Sequence, residues 1–315
     1  MVITSKIRDM KKLLLILVSI GGFLTNSTAQ EEDKAPEPVV KKAKYTKATF
    51  RSTRIINMQS VEILPQGNLQ FMISHHFGEL WNKDATSKEN LAQMFGLNSG
   101  IAHTYLSLDY SVTNRINLGL AAGGKSNFEG WAKIKVLRQQ SGLRNIPISV
   151  TWFSLVNVNG ATGADVNGLS WNRYSFLHQL LIARKFSDRI SLQLIPSWIH
   201  YNIVPYGHNN SNEVFSLGIA GKYKISSNKN FTFEYANQLN MHSNLVDKNG
   251  NIVNYNRSLL SLGMEFDTGG HLFQLYVGST TNANNIEQLT RNTSSIKDGN
   301  FALGFTINRG LNLKK

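Results

Sequence analysis

From Asn68 to Asn308 the chain runs in segments that alternate apolar and polar side chains. A period of two marks a strand whose faces meet different surroundings. Twelve segments carry the pattern: 68–77, 101–112, 115–124, 128–140, 145–158, 173–186, 189–205, 213–225, 230–239, 257–266, 271–278 and 299–308. In the last, Phe301, Leu303, Phe305 and Ile307 share one face, and Ala302, Gly304, Thr306 and Asn308 the other. Leu106, Leu108, Tyr110 and Val112 oppose Ser107, Asp109 and Ser111 in the same way.

The gaps sort by length. Thr113-Asn114, Ser141 to Arg144, Ser187-Asp188, Ser226 to Lys229 and Asp267 to Gly270 are short and built of turn formers. Between them lie 78–100, 159–172, 206–212, 240–256 and 279–298, with 125–127 as a short exception. Tight turns at one end and long loops at the other predict an all-β fold. It is a transmembrane antiparallel up-and-down β-barrel of about twelve strands with its short turns facing the periplasm. Aromatics close the apolar face beside several short turns: Tyr110, Phe186, Tyr223, Phe231 and Phe266. Rings at one level suit a lipid–water girdle, whereas a soluble sandwich would spread them through its core.

Three stretches fit less well. Leu180, Leu181 and Ile182 are consecutive and blur the alternation of 173–186. The apolar face of 189–205 switches near Pro196, which predicts a bulge or bend. Residues 53–64 break the parity. They are either an extra strand, giving fourteen with one more, or an N-terminal piece in the lumen or across its periplasmic mouth.

The start of the chain sets the compartment. Lys6, Arg8, Lys11 and Lys12 precede an apolar run from Leu13 to Leu24, and Ser27-Thr28-Ala29 offers a small-residue cleavage site. Residues 1–29 therefore read as a secretory signal peptide. Residues 30–52, charged and containing Pro36 and Pro38, read as a flexible mature N-terminus, and 53–315 as the barrel. Elsewhere the sequence has no apolar run of the ~18 residues a membrane helix needs. A membrane location then requires a closed barrel, because an open sheet edge does not survive in lipid. The predicted address is the outer membrane of a Gram-negative bacterium.

Charge changes the picture little. The formal charge is +13, and losing residues 1–29, with four basic residues and Asp9, leaves +10. No nucleic-acid recognition motif accompanies it, so lipid headgroups or a surface or periplasmic protein are the expected partners. The chain has no cysteine, which excludes disulfides and thiol catalysis.

Several short stretches carry a resemblance. Thr53-Arg54-Ile55-Ile56-Asn57, Ser60-Val61-Glu62, Gly67-Asn68-Leu69-Gln70-Phe71, Ile73-Ser74-His75-His76-Phe77-Gly78 and Leu108-Asp109-Tyr110 together resemble an uncharacterised outer-membrane β-barrel family of Bacteroidota. The resemblance covers most of residues 50–310. It implies a barrel of unknown activity and brings no catalytic residues.

Motifs for chemistry are sparse. His75 and His76 are adjacent on a strand and point to opposite faces, so they cannot share a metal. No Gly-x-Ser-x-Gly elbow appears, and neither Gly160 to Asp165 nor Gly119 to Gly124 has phosphate-loop spacing. Asp247 to Asn251 lacks the later acid of a calcium loop. No cofactor and no enzymatic activity are expected. Charges are the sharper signal: period-two counting turns Asp109, Lys133, Lys135, Lys222, Lys224, Glu234 and Glu265 toward the lumen. They would line a narrow channel for small polar solutes or fill the lumen as a structural network. The alternative to a channel is a non-conducting scaffold or binding barrel. It would present its long loops to a surface or secretion partner, with a short helix at Ser87 to Phe95 exposing Leu91 and Met94.

Overall fold

The computed structural model describes residues 42–81, 85–93, 103–123, 127–160, 171–203, 212–240, 245–246, 252–253, 258–292, 295 and 299–313. The signal peptide, residues 30–41, Met94, and the Asp247 to Asn251 turn lie outside the described residues.

Twelve antiparallel strands close into one barrel, each paired with the next in sequence and the last with the first. They are β1 (Asn68–Trp81), β2 (His103–Ser111), β3 (Ile116–Gly123), β4 (Asn127–Leu137), β5 (Ser149–Asn159) and β6 (Tyr174–Lys185). The remainder are β7 (Ile190–Tyr201), β8 (Glu213–Lys224), β9 (Lys229–Gln238), β10 (Leu259–Asp267), β11 (His271–Gly278) and β12 (Phe301–Asn312). Every predicted segment is a strand. Closure leaves no sheet edge, so the backbone is paired all the way round.

Local chemistry sets the turns. In the β2–β3 turn the Thr113 hydroxyl accepts the N–H groups of Arg115 and Ile116. In the β6–β7 turn Ser187 does the same for Arg189 and Ile190. Both hydroxyls stand in for a backbone acceptor and hold the reversal tight. The β4–β5 connection is longer than the short turn at Ser141 to Arg144 predicts. A register shift follows Lys135, and Gln140-Ser141 pairs instead with Lys44-Tyr45. Pro147, with no N–H, stands before β5 and cannot extend its ladder.

Outward positions are apolar. Leu106, Leu108 and Leu118 are exposed, as are the rings of Tyr110, Phe186 and Tyr223 near the turns. Pro196 makes no bulge: β7 keeps one register with β8 through it, Leu217 facing Pro196 and Ser216 facing Ser197. The apparent switch of face near it has another cause. Ile195 and Ile199 point inward and are buried, as are Leu177 and Leu181 of β6 and Phe153 and Leu155 of β5. These inward apolar groups share one buried cluster with Phe50, Ile55, Ile56, Met58 and Val61, from before the first strand.

Residues 53–64 are therefore not a strand of the barrel. Residues 52–61 are buried throughout, and burial begins earlier, at Thr49 and Phe50, inside the stretch assigned to the flexible N-terminus. A second insertion comes from the loop side. After β11, the chain from Ser279 to Asn292 carries the single-turn helix Glu287–Thr290, and Asn285, Ile286, Gln288 and Leu289 are buried. A seven-residue helix, Ser87–Gln93, stands in the β1–β2 loop with Leu91 exposed. It starts with a capping box: the Thr86 hydroxyl accepts the Glu89 N–H, and the Glu89 carboxylate accepts the Thr86 N–H.

Candidate functional site

Residues 49–62 form a plug. Thr53 to Ser60 fold as a small hairpin, with Ile55 N–H to Met58 O at 2.9 Å and Ser60 N–H to Thr53 O at 2.9 Å. Asn57, a favoured turn residue, lies at its tip. The base is closed by Glu62, whose Oε1 accepts the Thr49 N–H at 2.8 Å. A tight turn leaves several N–H groups without partners in its own backbone, and burying them that way would cost about 1–3 kcal/mol each.

Glu234 of β9 takes those groups. Its Oε1 accepts the N–H of Ile56 at 2.7 Å and of Met58 at 2.8 Å, and its Oε2 accepts the N–H of Asn57 at 3.0 Å. The carbonyls are met by cations and amides. Lys133 Nζ donates to Thr53 O at 2.6 Å and Ser60 O at 3.2 Å. Gln193 Nε2 donates to Gln59 O at 2.7 Å, and its Oε1 accepts the Val61 N–H at 2.6 Å, so one side chain pairs with the plug as a strand edge would. Gln274 donates to Ile55 O, and Lys135 forms an ion pair with Glu62 at 3.3 Å.

The remaining charges of the predicted set are placed as follows. Asp109 Oδ2 accepts from the Thr53 hydroxyl at 3.1 Å and Oδ1 from the Trp131 indole at 3.1 Å. Lys222 Nζ donates to Ala48 O at 3.2 Å, at the turn-end mouth. Glu265 accepts from Asn230 and Gln274, the latter already on the plug. Lys224 stands half-buried at the rim. Lys133 and Glu234 are 0% exposed.

Period-two counting also reaches residues left off that set. Two positions before Trp131 on the inward face is Glu129. Its carboxylate accepts from the Tyr105 hydroxyl at 2.6 Å and from Asn285 of the loop insertion, by N–H at 2.9 Å and Nδ2 at 2.6 Å. Arg54 of the plug donates to the same Tyr105 hydroxyl at 2.6 Å, with its guanidinium over the ring. Gln59 donates to Asn285, and Gln288 to Asn57 O, so plug and loop insertion meet within the barrel. Gly218 makes room for the plug, because a Cβ there would lie 2.2 Å from Met58 Cε. His75 faces outward and bonds Thr104, whereas His76 faces inward between Ser74 and Tyr276. Among the described residues no group of three His, Asp or Glu side chains is placed to hold a metal.

The fold and its filled lumen define a membrane β-barrel whose interior is occupied by its own N-terminal segment and one of its loops. The chain belongs to the family described as membrane bound beta barrel domain (DUF5777), a domain of unknown function, which matches residues 50–311. No curated protein matches the sequence. Among solved structures it is similar to the KdgM porin, at 7% identity and a TM-score of 0.44, over 77% of this chain and 98% of that one. It is also similar to a mutant of the Rh. blastica porin, at 14% identity and a TM-score of 0.30, over 66% of this chain and 55% of that one.

Proposed function

We propose that this chain is an outer-membrane protein of a Gram-negative bacterium of the Bacteroidota. On this reading residues 1–29 are a cleaved signal peptide, and the mature N-terminus that follows leads into the plug at 49–62 and then the barrel. The barrel is closed at rest and works by binding a surface or secretion partner, rather than by passing solute. One observation carries this. The inward charges Lys133 and Glu234 are wholly buried and bonded to plug backbone, which supports a packed interior rather than a water-filled path. Exposed Leu91, on the helix of the loop-side β1–β2 connection, supports an outward-facing binding surface.

A narrow channel remains the second reading, favoured by the way the plug is attached. Every contact between residues 49–62 and the barrel wall described above is non-covalent, and the segment joins the barrel through residues 63–67, ahead of β1. On this second reading the plug leaves as a unit by the turn-end mouth. Planar-bilayer recording separates the two readings. The full mature chain is expected to be silent, and a chain lacking residues 49–62 to conduct. Stable small steps from the full chain, shifted by Lys133→Glu and Lys135→Glu, would overturn the closed-barrel reading in favour of a channel.

A further inference from the structure

We propose that the turn end of the barrel carries a collar that seats anionic phospholipid headgroups. Six closures join the strands at this end, and five of them carry an exposed cation. Arg115 stands in the β2–β3 turn, Arg144 in the β4–β5 connection and Arg189 in the β6–β7 turn. Lys229 opens β9, and Arg309 lies where β12 meets β1. The sixth closure, β10–β11, carries Asp267, and that carboxylate is paired with Arg51 of the plug. Asp188 is the one other acid in these turns, and it lies 3.7 Å from Lys185. At the loop end the described residues show no such ring. Lys88, Arg291 and the buried Arg173 are there accompanied by Glu79, Glu89, Glu213 and Glu287.

The cations share a level with the aromatic belt. Of the five, Lys229 is the register partner of Phe266 on β10; Arg184, a further cation at this end, has its guanidinium 5.0 Å from the centre of the Phe186 ring. Aromatic rings settle at the boundary between hydrocarbon and headgroups, so charges interleaved with them stand at phosphate depth. A juxtamembrane Lys or Arg attracts an anionic headgroup by about five-fold, and the attraction fades within a Debye length. Distribution decides between lipid and an acidic protein. A protein partner touches one side of a barrel, whereas cations at five of six closures encircle it, as a lipid annulus does. The inference requires only that the barrel spans a bilayer. It is independent of whether the lumen conducts.

The test uses the full mature chain in nanodiscs of phosphatidylcholine mixed with phosphatidylglycerol. Native mass spectrometry counts the lipids retained after mild delipidation. The expected result is several-fold enrichment of phosphatidylglycerol over the bulk ratio, falling as salt is raised. Arg115→Gln, Arg144→Gln, Arg189→Gln, Lys229→Gln and Arg309→Gln combined should return retention to the bulk ratio, with heat-modifiable gel mobility confirming a folded barrel. Arg144→Lys, Arg189→Lys and Arg309→Lys, which keep the charge, should restore the enrichment. Retention at the bulk ratio by the unmodified chain, or enrichment that survives the glutamine set, overturns the proposal. Binding of soluble poly-glutamate without lipid enrichment also overturns it and assigns the collar to an acidic protein.

Discussion

Replacing Glu234 should undock the plug and leave the barrel standing. Its carboxylate accepts three N–H groups from the tip of the plug, at 2.7, 3.0 and 2.8 Å. Glu234→Ala removes both acceptor oxygens, and with them all three hydrogen bonds, in a site without exposure. Hydrogen bonds to a charged group contribute about 1.5–3 kcal/mol each, and neighbours in one network do not add fully. A net loss of about 4 kcal/mol is reasonable, which raises the plug's opening equilibrium roughly 1000-fold. Glu234→Gln is milder. One oxygen still accepts from Ile56 and Met58, and the new amide faces the Asn57 N–H donor to donor. That costs about 2 kcal/mol, or roughly 30-fold. The cost falls on the plug because the β8–β9 and β9–β10 ladders are backbone pairings that do not use this side chain. Hydrogen exchange by mass spectrometry reads it directly. Peptides spanning residues 49–62 should lose protection in the order Ala, Gln, unmodified, while strand peptides keep theirs. Unchanged exchange of 49–62 in Glu234→Ala, or equal loss from plug and strands, refutes the reasoning.

Other consequences are simpler to test. Lys133→Met leaves the Thr53 and Ser60 carbonyls without their cation, at about 1–3 kcal/mol per orphaned group, and should speed exchange of 49–62 as Glu234→Ala does. Gly119→Ala would place a Cβ 2.1 Å from Trp131 Cε2, a rigid ring bonded to Asp109. Overpacking of this kind costs about 1–3 kcal/mol, so the temperature at which the folded form is lost on a gel should fall. An unchanged temperature would show that the ring is elsewhere. The Glu89 carboxyl is held below its usual range by the Thr86 N–H and then by the Thr86 hydroxyl. A depressed value means that the cap supports the Ser87–Gln93 helix above the unfolded carboxyl's range and is lost as pH falls through the folded value. The protection of the Asn90 amide, taken relative to the intrinsic exchange rate at each pH, should therefore fall as pH drops below the free carboxyl's range, and Thr86→Ala should remove that fall in protection.

Much of the architecture was legible because a barrel strand has two unlike surroundings. Lipid outside and polar groups inside write a period of two, and all twelve segments were read from it. Turn chemistry at Thr113-Asn114 and Ser187-Asp188 was equally local. The misread places share a cause. Leu181, Ile195 and Ile199 look wrong for inward positions until the plug supplies an apolar neighbour. Pro196 then looks like a bend when it is an ordinary register position. The same counting reaches Glu129, two positions before Trp131 on the inward face. Arg54 and Glu62 lay in the stretch whose parity did not fit, but nothing local shows what they touch.

The alternation along the chain was enough to place twelve strand segments and to sort their connections into a short-turn end and a long-loop end. Both follow from neighbours in sequence and from one rule about faces. Residues 53–64 left the strand count open until the structure set them inside the barrel. Only the tertiary structure decided what the inward charges do. Lys133 is 80 residues from Thr53 and Glu234 is 178 from Ile56, and such contacts leave no period in a sequence. A buried carboxylate and a buried ammonium need partners wherever the fold brings them, and here closure of the barrel brings them the backbone of residues 49–62.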